Sequence, residues 1–147
     1  MSMARLLPQQ GAMVLLDEVV AHDATRILCR ARSHRHPDHP LRHEGRLPVW
    51  AGIEYAAQAM AAHFSLDRGV AGPGTLGLLG GLRDVIAAVE RLDDIESTLL
   101  VDAERLSHDI AGSIYAFRVT DEADGRELLR GRATVVQGAA AAARSVE

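Results

Sequence analysis

Leu47-Pro48-Val49-Trp50-Ala51-Gly52-Ile53-Glu54-Tyr55-Ala56-Ala57-Gln58-Ala59-Met60-Ala61-Ala62-His63-Phe64-Ser65-Leu66 is the one strong helix signal in the chain. After Pro48 it holds no proline, it is rich in alanine, and its apolar residues run almost all the way round a helical wheel. A helix with so little polar face is expected to be buried. Asp67-Arg68-Gly69 ends it and Gly72-Pro73-Gly74 enforces a turn. We therefore place a helix over Val49–Leu66.

Outward from this helix the chain reads as strands. On the N-terminal side, Ala12–Val20 is apolar around Asp17 and Glu18, and Arg26–Arg32 alternates in a partly two-residue rhythm, with a turn at His22-Asp23-Ala24-Thr25. Ser33–Pro48 is rich in His, Pro, Arg and Asp without an apolar period, which marks a long and functionally suspect loop. On the C-terminal side, strands are expected over Leu76–Val89, Ser97–Ser107, Ser113–Thr120 and Leu128–Gln137, although Asp84–Glu90 also suits a helical turn. Their separators are Arg91-Leu92-Asp93-Asp94, His108–Gly112 and Asp121–Gly125, with Asp124-Gly125 the best hairpin signal. One buried helix on an antiparallel meander is an α+β layer arrangement. Such a sheet leaves edges to be managed, so a dimer is expected. We read one domain over residues 1–138 and a flexible tail over residues 139–147.

Composition narrows the function. The chain has 147 residues, 48% of them hydrophobic and 24% charged, which suits one folded domain. Sixteen basic against twenty acidic residues give a net charge of −4, which argues against nucleic-acid binding. Cys29 is the single cysteine; it fits a reducing compartment and reads as a small buried strand residue. No apolar run has the length of a signal peptide or a membrane span, so the expected location is cytoplasmic.

Glu54 is the odd residue of the helix, an acid among Ala51, Gly52, Ile53, Ala56 and Ala57. Burial there raises a carboxyl pKa unless donors compensate, which suits acid–base work. Gln58 lies one turn on, where its amide can fix the carboxylate or a water. A plain structural reading of both, at the solvent edge of the helix, also fits the pattern. Four of the seven histidines, His34, His36, His39 and His43, stand in the loop. Their spacing matches no compact zinc motif, so no metal is expected; one of them as a general base is the simpler reading. His63 falls two and a half turns after Glu54 and reads as a packed histidine. No phosphate loop, nucleophile elbow or dinucleotide fingerprint is present, and no cofactor is expected.

The run from Leu47 to Gln58 resembles the helix-opening motif of the β-hydroxyacyl-acyl carrier protein dehydratases. There a proline opens the helix, a catalytic acid follows six residues later and an Ala-Gln pair closes the next turn; Pro48, Glu54, Ala57 and Gln58 stand in those places. Leu7-Pro8 and Met13-Val14-Leu15-Leu16-Asp17 resemble the family's first strand, with Pro8-Gln9-Gln10 where Pro-His-Arg is usual. The chain also resembles the predicted hotdog dehydratases associated with aryl polyene-type lipid pathways. This resemblance implies a hotdog fold, a sheet wrapped around one long helix, that dimerises so that two active sites form at the interface. It implies that Glu54 protonates the departing hydroxyl of a 3-hydroxyacyl thioester and that a loop histidine removes the α-proton. His39 matches the family's His-Phe-Pro by spacing, although Pro40 follows it directly; counting from the first strand points nearer His43, and His34 sits on the more rigid end of the second strand.

Elimination of water from such a thioester needs a base at C2, an acid at the C3 hydroxyl and a donor on the thioester carbonyl. A backbone N–H near Gly52 at the helix start is a candidate for that donor, and Trp50, Met60 and Phe64 are candidates to line the acyl site. The implied partners are an acyl carrier protein or coenzyme A thioester and a second hotdog chain, identical or paralogous. A hotdog thioesterase and a non-catalytic acyl-binding partner are the competing readings.

Overall fold

The helix foreseen from the alanine-rich stretch is present, and its first turn shows how it is anchored. In the computed structural model, which describes residues 3–7, 9–68 and 77–137, the N–H groups of Ala51, Gly52 and Ile53 reach back to the carbonyls of Pro48, Val49 and Trp50 at 2.9, 2.8 and 3.1 Å. These tightened bonds satisfy donors that a helix start leaves open. The approach is held from outside as well. Asp93 accepts the Leu47 N–H at 2.9 Å, and the Val49 N–H donates to the Glu90 carbonyl at 3.0 Å. Arg91 grips the Asp93 carboxylate and holds its pKa well below the ordinary carboxylate value. The Arg91–Asp94 segment, a plain separator in the sequence, therefore fixes where the helix begins.

In chain order the elements are α1 (Met3–Leu6), a 3-10 turn (Gly11–Met13), β1 (Glu18–His22), β2 (Arg26–Ala31), a 3-10 turn (Ser33–Arg35), α2 (Ala51–Arg68), β3 (Gly77–Ala87), β4 (Leu99–Asp109), β5 (Gly112–Asp121) and β6 (Glu127–Gln137). The strands form one antiparallel sheet in the order β1-β2-β4-β5-β6-β3. Alternate residues face inward: Ile27, Cys29 and Ala31 on β2, Leu99, Val101 and Ala103 on β4, and Tyr115, Phe117 and Val119 on β5 are all buried. Burial pushes the Cys29 thiol up to about 12, so it stays a neutral packing residue. α2 lies across this face and touches β2, β4 and β5. At Gly52 a Cβ would stand 2.7 Å from Leu129 Cδ2, so glycine is what lets the helix close on the sheet. This is the α+β hotdog arrangement.

Three expectations are corrected. The strands are not a simple meander, since β2 pairs with β4 and β3 crosses to the far edge to pair with β6. The first strand does not run over Ala12–Val20: β1 occupies Glu18–His22, and the chain before it makes a 3-10 turn with Gly11 at φ +60°. The reason is long-range. The Gln58 side chain accepts the Leu15 N–H at 2.9 Å and donates to the Met13 carbonyl at 2.6 Å, so this backbone is satisfied by a helix side chain instead of a sheet ladder. Within β3, Asp84 takes φ +57° where the pairing register shifts between Arg83 and Ile86, a β-bulge in place of either a smooth strand or a helical turn. The Asp124-Gly125 hairpin forms, with Gly125 at φ +74° and its N–H on the Asp121 carbonyl at 2.8 Å. Pro8, Gly72-Pro73-Gly74 and the tail over 139–147 lie outside the described residues.

Candidate active site

Glu54 sits in the first turn of α2, half-buried, with Gln9 Nε2 donating to its Oε1 at 3.3 Å. Burial raises its pKa above the ordinary carboxylate value, and the amides of Gln58 and Gln9 pull the other way without cancelling the rise. Gln58 is fully buried; besides acting on Glu54, its amide accepts the Leu15 N–H and donates to the Met13 carbonyl. It thereby ties the N-terminal segment to the helix and delivers Gln9 to Glu54. Sequence reasoning did not find the Gln9 contact. The only signal for it was the departure of Gln9-Gln10 from the Pro-His-Arg pattern.

The loop histidines divide by what their ring nitrogens do. His39 is buried; its Nδ1 accepts the Leu41 N–H at 3.0 Å, so in the neutral ring Nε2 carries the proton and donates to the Tyr55 hydroxyl at 2.9 Å. Tyr55 in turn donates to Ser33 Oγ at 2.7 Å, and Ser33 donates to the Leu15 carbonyl at 2.7 Å. Each polarity in this relay follows from the one before it. His34 is also fully buried. Its Nε2–H donates to the Ile95 carbonyl at 2.9 Å, and its unprotonated Nδ1 has no hydrogen-bond partner among the described residues. Burial lowers the pKa of both rings. His36 and His43 are exposed. Among the described residues no histidine hydrogen-bonds to Glu54, and no cluster of three or more His, Cys, Asp or Glu is placed to hold a metal.

His63 is packed on the far side of α2. Its Nε2–H donates to the Asp23 carbonyl at 2.9 Å, and its Nδ1 accepts from Tyr115 at 2.7 Å. The Gly52 N–H donates to the Val49 carbonyl at 2.8 Å, and its missing side chain lets the helix pack against Leu129. Trp50 stands one turn before Glu54 and is 55% exposed.

Residues 54, 57, 61 and 64 share one face of α2 by their spacing. Just past Glu54 this face opens on a small cavity of about 30 Å³, lined by Ala57, Met60, Ala61 and Phe64 of the helix and by Leu79, Ser113, Tyr115 and Val135 of the sheet. Leu79 belongs to the edge strand β3 and is itself exposed, so the cavity reaches the sheet edge. A larger depression of about 530 Å³ lies on the outer face of the sheet among Arg26, Asp102, Arg118 and Arg130, and includes no residue of this site.

Residues 1–146 match the ApeP-like family, described as ApeP dehydratase. The chain belongs to the ApeP-like dehydratase family. Among solved structures this dehydratase is similar to the dehydratase heterocomplex ApeI:P from Xenorhabdus doucetiae, at 26% identity and a TM-score of 0.79, over 94% of this chain and 91% of that one. It shares its fold with a hypothetical thioesterase from Streptococcus pneumoniae TIGR4 with coenzyme A, at 11% identity, TM-score 0.60 and coverage of 82% and 84%. It also shares it with zebrafish thioesterase superfamily member 2, at 13% identity, TM-score 0.61 and coverage of 89% and 88%. No curated protein matches the ApeP-like chain in sequence.

Proposed function

We propose that this dehydratase eliminates water from 3-hydroxyacyl thioesters and that Glu54 is its acid. The observation that carries the reading is a carboxyl with a raised pKa at the head of an apolar helix stripe that runs into a cavity. A base takes the C2 proton, the C–H pair forms the C2–C3 double bond, and the C3–O bond breaks toward the oxygen, which takes the Glu54 proton and leaves as water. The acyl chain follows Ala57, Ala61 and Phe64, and Trp50 offers an exposed ring to the pantetheine arm of an acyl carrier protein or coenzyme A.

The base is a histidine of the Ser33–Pro48 loop, brought to Glu54 by a second hotdog chain packed across the β3 edge. Two observations support this: Glu54 has no histidine on it within the described residues of one chain, and β3 exposes Leu79, Leu82 and Ile86 by 41, 44 and 48%. The partner is either a second copy or a paralogue, and the similar Xenorhabdus protein is described as a heterocomplex. The same lack of an in-chain base supports the second reading, a chain that binds acyl groups and needs an active paralogue.

Turnover of crotonyl and 3-hydroxyacyl thioesters, followed by enoyl absorbance and free thiol together, tests the proposal. Glu54→Gln is expected to fold normally and to lose roughly 10²–10⁴-fold of the enoyl signal, the usual contribution of an acid–base group. The base is whichever of His34→Asn, His39→Asn and His43→Asn shows a comparable loss. Thiol release without enoyl chemistry makes the protein a thioesterase, and silence from the wild type with and without a hotdog paralogue leaves an acyl-binding role.

A further inference from the structure

We propose that Gln9 contacts the substrate: its Oε1 accepts the hydrogen bond of the 3-hydroxyl, and of the water that hydroxyl becomes, while its Nε2 holds Glu54. The inference rests on the dehydratase reading and adds a residue to it.

The Gln9 amide has two ends with different surroundings. Nε2 donates to Glu54 Oε1, whereas Oε1 is buried with no hydrogen-bond partner among the described residues. A buried amide oxygen left without a donor is rare and unfavourable, and it calls for a reason. The chain that follows it is held to the helix. Gln58 holds Met13 and Leu15 from the helix, and Ser33 takes the Leu15 carbonyl, so both backbone groups of Leu15 are fixed by side chains. The unpartnered acceptor is thus held beside the reacting carboxyl.

Chemistry fills the position. With Oε1 of Glu54 engaged by Gln9, the acidic proton resides on Oε2. A substrate hydroxyl then accepts from Glu54 Oε2 and has a single O–H to give, which Gln9 Oε1 takes. Once the C3–O bond breaks and the oxygen has the Glu54 proton, the water has two O–H groups and two acceptors waiting, the Glu54 carboxylate and Gln9 Oε1. Gln9 gains and loses no proton; it recognises the hydroxyl and steadies the leaving water.

The test compares pantetheine amides of 3-hydroxybutyrate and butyrate, which do not eliminate, by calorimetry on the full chain, with and without a hotdog paralogue. Wild type is expected to prefer the hydroxylated compound by about tenfold, the worth of one hydrogen bond, and Gln9→Met to bind both alike. In turnover, Gln9→Met raises KM for the 3-hydroxyacyl thioester about tenfold and leaves KM for the enoyl thioester unchanged. With kcat for dehydration unchanged, the fixed overall equilibrium constant then requires kcat for hydration to fall by the same factor. Gln9→Ala gives the same pattern where Met disturbs folding. A variant that raises both KM values together, or that keeps the hydroxyl preference, overturns the role of Gln9 while the dehydratase reading stands. A wild type that neither binds nor turns over either class overturns that reading, and the role of Gln9 with it.

Discussion

A carboxyl in the first turn of a helix meets two opposing influences, and Glu54 shows which is larger. The helix N-terminus favours the charged form, and so do the amides of Gln9 and Gln58; burial favours the neutral one, and the net direction is upward. Glu54 must be protonated to act as the acid of dehydration, so the dehydration rate is expected to fall as pH rises through this raised pKa. Hydration of the enoyl thioester needs the ionised form, so its rate falls as pH drops through the same value. Rate profiles in both directions check this: the limb set by Glu54 is expected to run in opposite senses in the two directions, beside a second limb set by the base histidine, and Glu54→Gln is expected to lose the first limb in both; profiles in which that limb has the same sense would remove Glu54 from the acid role. Glu54 was legible in the sequence because an acid in an alanine run stands out. Gln9 was not, because it meets Glu54 across 45 positions of chain. The state of His39 was not either, because a tautomer is set by its neighbours, here the Leu41 N–H and Tyr55.

At the scale of elements, the parts set by local pattern were readable and the parts set by distant side chains were not. α2, β2 and the strands after it follow from alternation and turn residues, whereas the start of β1 was displaced by Gln58, some 43 positions away from the backbone it captures. Gly52 lies between these cases: its place in the helix is visible in the sequence, and its reason is the closeness of β6. Gly52→Ala tests the balance. Alanine gains up to about 1 kcal/mol of helix propensity, but its Cβ would stand 2.7 Å from a Leu129 side chain that is itself fully buried, and overpacking costs about 1–3 kcal/mol. The clash wins, and the melting temperature is expected to drop by a few degrees; a rise would show that Leu129 has room to move.

Across the whole molecule, the sequence foretold that a six-stranded sheet with one helix would leave an edge in need of cover, and β3 with its exposed Leu79, Leu82 and Ile86 is that edge. What it did not foretell is how much of the interior depends on neutral imidazole. His34, His39 and His63 are each buried, each uses an Nε2–H as donor, and each has a pKa lowered first of all by burial. Protonation would put a second N–H where His39 now accepts from Leu41 and His63 from Tyr115, and at His34 it would place a charge on a fully buried ring. A group with a depressed folded pKa contributes stability that is complete above its unfolded value, here 6.5, and that is lost as pH falls through the folded one. Each histidine can contribute a slope of up to about 1.4 kcal/mol per pH unit in that window. Glu54 acts in the opposite sense, since its raised pKa favours the fold on protonation, but it is one group against three. The Asp93 and Glu122 carboxylates, both held low by arginines, add their acid sensitivity only below their ordinary values of 3.8 and 4.5. Thermal melts from pH 8 to pH 5 are therefore expected to be flat down to about 6.5 and to fall steadily below it, with a shallower fall in His63→Gln. A melting temperature that stays level to pH 5 would mean that these rings accept a proton without cost, and would contradict the hydrogen-bond assignment for all three.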